Sequence, residues 1–161
     1  ERKGEIVAAV TYNPISDELF TAEKGAGAFL NNKRLRVASR TDIHEALIGC
    51  GIPHRGREDH AGNRAEIALV QAKAIGIRRL GTVTLELGYV AAGRLDAFWE
   101  RNLKPWDLAA GILLVREAGG FTSDCDGEAS PLQTGNIIAA NADLLPQLKK
   151  ELAAARKISG A

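Results

Sequence analysis

Methionine is absent from the 161 residues, and cysteine occurs only twice. Charge of one sign is also missing: 21 Lys and Arg face 20 Asp and Glu, a formal charge of +1. Each shortage excludes something. Balanced charge argues against a dedicated nucleic-acid binder, which carries a basic excess or stripe. Two cysteines in this length staple little, so a disulfide scaffold is ruled out. Cys50 and Cys125 lack CxxC or Cys/His spacing, which makes zinc ligation improbable and leaves two reduced thiols of a cytoplasmic protein as the expectation. No positive-then-apolar signal pattern opens the chain. The longest apolar run, residues 108–115, is far below the roughly 20 residues that span a bilayer and is bounded by Asp107 and Arg116. A chain that starts Glu1-Arg2-Lys3-Gly4 with no methionine is read as beginning downstream of its gene's start.

What is present is a globular composition, 45% hydrophobic with evenly mixed charge and 17 glycines, which excludes disorder. The length suits one domain, which buries roughly two-thirds of its unfolded surface. Residues 1–38 read as β-structure. A strand over 5–12 is followed by the turn Asn13-Pro14-Ile15-Ser16-Asp17 and a returning strand over 18–23. Asn31-Asn32-Lys33 then signals a second hairpin between 28–30 and 34–37. A meander of about four strands has one face to cover, so these are read as the terminal strands of a larger antiparallel sheet. From residue 39 to 161 the texture alternates. Strands are expected at 46–50, 76–80, 95–100, 121–123 and 136–140, and helices at 63–74, 82–92, 106–118 and 144–155. The fold class is therefore α/β: a layered sandwich with a largely parallel sheet between helices, preceded by antiparallel strands.

Three places could carry chemistry. In Pro105-Trp106-Asp107-Leu108-Ala109-Ala110-Gly111, an Asp at a helix start is ordinarily a cap for free N–H groups. A carboxylate at such a crossing can also hold a hard cation through oxygen, and the small residues after it allow close backbone approach. In Leu80-Gly81-Thr82-Val83-Thr84, N–H groups at a helix start can bind oxyanions or hydroxyls, with Gly allowing close approach, although strand-Gly-Thr-helix is an ordinary connection. Glu100 ends a strand, where ligands bind in open α/β sheets, yet acidic strand ends are more often solvated. His44, His54 and His60, and the basic residues 55–57 and 78–79, form no catalytic or ligand pattern. No phosphate-binding loop, nucleophile elbow or dinucleotide fingerprint occurs.

Together these blocks resemble the inositol monophosphatase family over nearly the whole chain, with the bacterial type the nearest likeness. Trp106-Asp107-Leu108-Ala109-Ala110-Gly111 through Glu117-Ala118-Gly119-Gly120 is close to its C-terminal signature. Arg79-Leu80-Gly81-Thr82, Ala91-Ala92-Gly93-Arg94-Leu95-Asp96-Ala97-Phe98-Trp99-Glu100 and Gly135-Asn136-Ile137-Ile138-Ala139-Ala140-Asn141 fall at the expected spacings. The resemblance implies a Mg²⁺-dependent phosphomonoesterase that hydrolyses inositol monophosphate with metal-activated water. It makes Asp107 a metal ligand, Glu100 a partner for a polyol hydroxyl, and Gly81, Thr82 and Val83 substrate contacts. It also implies a homodimer; that no membrane or dedicated nucleic-acid partner is expected rests on the balanced charge and the short apolar runs.

Two departures qualify the likeness. The family's Asp-Pro-Ile/Leu-Asp-Gly-Thr metal motif and the acidic pair upstream of it are absent, and Cys125-Asp126-Gly127 lies too late to replace them. One carboxylate cannot assemble a multi-metal site, so this polypeptide alone is expected to be inactive. Val83 stands where the family commonly has Ala, which narrows the pocket and leaves histidinol phosphate, fructose bisphosphate and phosphoadenosine phosphate as rival substrates. A different class of function, a non-catalytic protein-binding module on the same fold, is the competing expectation.

Overall fold

A computed structural model describes residues 1–53, 60–127 and 130–160; His54 and the basic residues 55–57 lie outside them. The first sheet is an antiparallel meander in the order β1 (Ala8–Asn13), β2 (Glu18–Glu23), β3 (Gly27–Leu30) and β4 (Lys33–Arg34). Its turns follow local chemistry. Asn13 Oδ1 accepts the Ile15 N–H at 3.1 Å, and Asn31 and Asn32 both take positive φ, the conformation of a two-residue hairpin turn. The first strand begins three residues later than expected, because residues 2–5 close a separate bridge between Arg2 and Glu5. The last strand is shorter than expected: after Leu35 bonds back to Ala28 the chain departs, and the Val37 N–H reaches Ala118 O at 3.1 Å.

The second sheet has the order β6 (Gly76–Arg78), β5 (Leu47–Cys50), β7 (Ala97–Glu100), β9 (Ile137–Ala140), β8 (Phe121–Ser123). Strands β6, β5 and β7 run parallel. Strand β9 is antiparallel to both neighbours, so it alone is reversed in this sheet. The segment between β8 and β9 contains the single-turn helix α4 (Pro131–Thr134) and returns beside β8 without crossing the sheet, which forces the reversal. The remaining helices are α1 (His60–Gln71), α2 (Val83–Ala91), α3 (Pro105–Glu117) and α5 (Leu144–Ser159).

Alternation along the central strands divides the interior in two. Phe98, Ile137 and Ala139 join Leu87, Leu108 and Leu114 of α2 and α3 in one core, while Trp99, Ile138 and Ala140 join Leu144, Leu148 and Leu152 of α5 in the other. The meander supplies Phe20, Ala22 and Ala28 to the first core. Four layers result: the meander, then α2 with α3, then the mixed sheet, then α1 with α5. The face of the meander that needed covering is thus covered by α2 and α3. Among the described residues no helix is long and apolar enough to cross a membrane. Cys50 and Cys125 are both free and buried.

Helices α2 and α3 pack closely because Gly111 has no side chain. A Cβ there would lie 2.3 Å from Leu87 Cδ1 and 2.5 Å from its Cβ, and Leu87 is fully buried. Substituting Gly111→Ala therefore overfills a core that cannot yield. The expected loss is about 1–3 kcal/mol, measured as a lower urea midpoint with unchanged slope.

Candidate active site

Strands β5 and β7 end on the same edge of the sheet, and the helices α2 and α3 begin there. Between them lies a polar cleft of about 270 Å³. Gly81, Thr82, Val83, Glu100 and Asp107 all line it, so residues spread over 27 positions of sequence meet in one place. The same walls include Arg79 and Thr84, which flank the Gly81-Thr82 block, and Gly51 and Glu86, which sequence reasoning did not single out.

Each wall has a local cause. Gly81 takes φ +83°, the left-handed conformation that glycine adopts freely, and it turns the chain from β6 into α2. Thr82 then sits at the helix N-cap in an extended conformation without a side-chain capping bond, and its hydroxyl lies 3.3 Å from that of Thr84. Asp107 stands in the first turn of α3, after Pro105 at the favoured first position. It is not the N-cap: its Oδ2 reaches back to accept the Lys104 N–H at 3.0 Å. Its other oxygen accepts no hydrogen bond from the described residues.

Glu100 owes its place to Gly51. A Cβ on residue 51 would lie 2.0 Å from Glu100 Cδ and 2.5 Å from its Oε1, so the carboxylate occupies space that only a glycine leaves. The Gly51 N–H donates to Trp99 O at 3.1 Å, tying the end of β5 to the end of β7.

Glu86 is the charged residue of an otherwise uncharged helix, and it is buried. Its Oε1 accepts the Leu80 N–H at 3.0 Å. Burial pushes its carboxyl above the ordinary value, and the N–H groups of Leu80 and Thr82 and the positive Arg79 oppose that rise. The carboxylate thereby fastens the turn that carries Gly81. Cys50, next to Gly51, is an inert thiol: burial raises it to about 12, with Glu86 and Glu100 adding to the rise.

The donor set does not fit a metal centre by itself. Among the described residues no group of three or more His, Cys, Asp or Glu side chains is placed to hold an ion. Asp107 offers one uncommitted oxygen, whereas Glu86 is turned to the backbone of its own loop.

A model of the inositol monophosphatase family matches residues 1–161. The chain belongs to the inositol monophosphatase family. It is 52% identical over 158 residues to an inositol-1-monophosphatase of Mesorhizobium japonicum, covering 96% of this chain and 59% of that protein. It is 49% identical over 142 residues to the Nus factor SuhB of Pseudomonas aeruginosa, covering 86% of this chain and 52% of the relative. Among solved structures, the extragenic suppressor protein suhB of Bartonella henselae superposes with a TM-score of 0.91 at 51% identity, over 94% of this chain and 59% of that one. The chain thus spans little more than half the length of the family members it matches.

The buried Glu86 has a measurable signature. Its folded-state carboxyl holds a proton to higher pH than the unfolded one, so above the ordinary glutamate value of 4.5 the folded chain binds more protons. Its contribution to stability is then greatest at low pH and falls as pH rises through that window. Unfolding free energy followed against pH is expected to carry this falling component in the wild type, and the difference curve against Glu86→Gln isolates it.

Proposed function

We propose that this chain forms the substrate-recognising part of a phosphatase acting on a polyol phosphate monoester, with inositol monophosphate the first candidate. One observation carries the reading: Gly81, Thr82, Val83, Glu100 and Asp107 line a single polar cleft at the ends of parallel strands, the place where α/β sheets bind ligands. A polyol offers hydroxyl donors, and Glu100 offers a carboxylate acceptor for them. The first turn of α2, opened by Gly81, offers backbone N–H groups to an oxyanion. Val83 narrows the same wall and favours a compact ring over a bulky nucleoside.

Asp107 is the residue of this set suited to a hard cation such as Mg²⁺, through its uncommitted oxygen. The described residues do not complete such a centre, so no step through the ion is assigned to this chain. In the same reading, β1–β4 are the terminal strands of a larger antiparallel sheet, residues 39–161 are the α/β domain, and the protein is a cytoplasmic homodimer. Coverage of only 59% of a relative and the position of β1 at one end of its sheet support the larger sheet.

A second reading, a module that docks another protein, is favoured by one feature. Val10, Tyr12 and Leu19 are exposed on the outer face of the meander, where Tyr12 and Leu19 are direct cross-strand partners; a relative at 49% identity bears the name Nus factor. Titration of the isotope-labelled chain with myo-inositol separates the two. The enzyme reading expects shifts at Glu100 and Thr82, with Glu100→Gln weakening affinity about tenfold through loss of a charge-assisted bond. An unresponsive cleft favours the docking module. In a phosphate-release assay with inositol monophosphate and Mg²⁺, this chain alone is expected to show no turnover; family-like rates would overturn that expectation.

A further inference from the structure

Four residues, 101–104, connect Glu100 at the end of β7 to α3, whose first turn holds Asp107. This short connection is held along most of its length. The Leu103 N–H donates to Gly135 O at 2.8 Å, and the Asn102 N–H donates to Asn136 Oδ1 at 3.2 Å. Asn102 takes a left-handed φ of 59°, a conformation that bonds of this kind can hold.

The largest anchor is Arg101. Its side chain is 8% exposed and points away from the cleft, into the layer formed by α1 and α5. Nε donates to Glu66 Oε1 at 2.8 Å, and the two terminal nitrogens fork onto Asp126, with Nη2 to Oδ1 at 2.8 Å. Glu66 is itself fully buried. It receives a second guanidinium, Arg156 Nε, on the same oxygen at 2.8 Å and the Trp99 indole N–H on the other at 3.2 Å. A forked guanidinium fixes orientation as well as distance, which a point charge does not.

We propose that Arg101 is a positioning residue for the polyol-binding carboxylate: the Glu66–Arg101–Asp126 clamp fixes the end of β7 and so holds Glu100 in the cleft against Gly51. The inference rests on the reading of the cleft given above. Arg101 touches no ligand and acts through its neighbour in sequence. Glu66 keeps two partners when Arg101 is removed, so the clamp can be broken without stranding a buried charge.

The test compares Arg101→Leu, Arg101→Lys and Arg156→Leu in the whole chain, with myo-inositol as the probe. Dissociation constants are read from chemical-shift titration, and thermal midpoints are recorded alongside. Arg101→Leu is expected to weaken myo-inositol about tenfold, the scale on which supporting contacts act at designed and metal sites. Arg101→Lys keeps the charge but loses the fork, and falls between it and the wild type. Arg156→Leu removes the other guanidinium on Glu66 without touching the connection, and is expected to lower the midpoint while leaving affinity within about twofold of wild type. Equal loss of affinity in the Arg101 and Arg156 variants would reduce the clamp to a purely structural role and overturn the proposal. Wild-type affinity in both Arg101 variants would overturn it as well. A wild-type chain that gives no response to myo-inositol overturns the reading of the cleft, and this inference with it.

Discussion

The contact between α2 and α3 is the constraint on which the rest depends. Both helices lie between two sheets, and each must present an apolar surface to the meander on one side and to the mixed sheet on the other. That demand explains why α2 is uncharged apart from Glu86 and why α3 buries Leu108, Ile112, Leu113, Leu114 and Val115 in succession. Two such helices fit within one layer only if they nest closely, and Leu87 occupying the space beside Gly111 provides the fit. Because both helices start at the same edge of the sheet, their nesting also brings their first turns together. The cleft follows from how the core is packed.

The buried polar groups obey a consistent rule. Asp96 is buried and receives the Leu47 N–H at 2.7 Å and Arg40 Nη1 at 3.0 Å. Asn141 spans the start of the α/β region, donating to Ala38 O and Arg40 O while accepting from the N–H groups of Asp143 and Leu144. Among the described residues no buried side-chain nitrogen or oxygen lacks a hydrogen-bond partner. Buried acids in this fold serve to pin loops to strands, since an acceptor with two oxygens can hold two segments at once. Glu66 does the same behind the central sheet, joining Trp99 of β7 to Arg101 of the connection that follows it, while Glu86 on the cleft side ties the turn at Leu80 to its own helix.

Much of this was legible in the chain. Helix α3 was expected over 106–118 and occupies Pro105–Glu117, because Pro at its start and Gly119-Gly120 at its end are unambiguous local signals. Strands β2 and β8 match their expected bounds for a similar reason: short apolar or aromatic runs between turn residues. The direction of β9 was not legible, since periodicity reports which face is buried and says nothing about polarity of the strand. Helix α4 escaped notice because four residues starting at Pro131 look like any turn. At the cleft, Gly81, Thr82, Val83, Glu100 and Asp107 were picked out from motif likeness, while Gly51 and Glu86 were not. The role of Gly51 depends on Glu100, a tertiary neighbour that no local pattern announces, and that of Glu86 on how the turn at Leu80 folds back over its helix, which residue spacing does not specify.

The space shared by residues 51 and 100 links two distant positions in a way that reaches beyond this one chain. The glutamate side chain lies where a Cβ at position 51 would stand, so the constraint runs in one direction. A descendant that acquires any side chain at 51 must shorten or redirect the one at 100, whereas a smaller residue at 100 leaves glycine at 51 undisturbed.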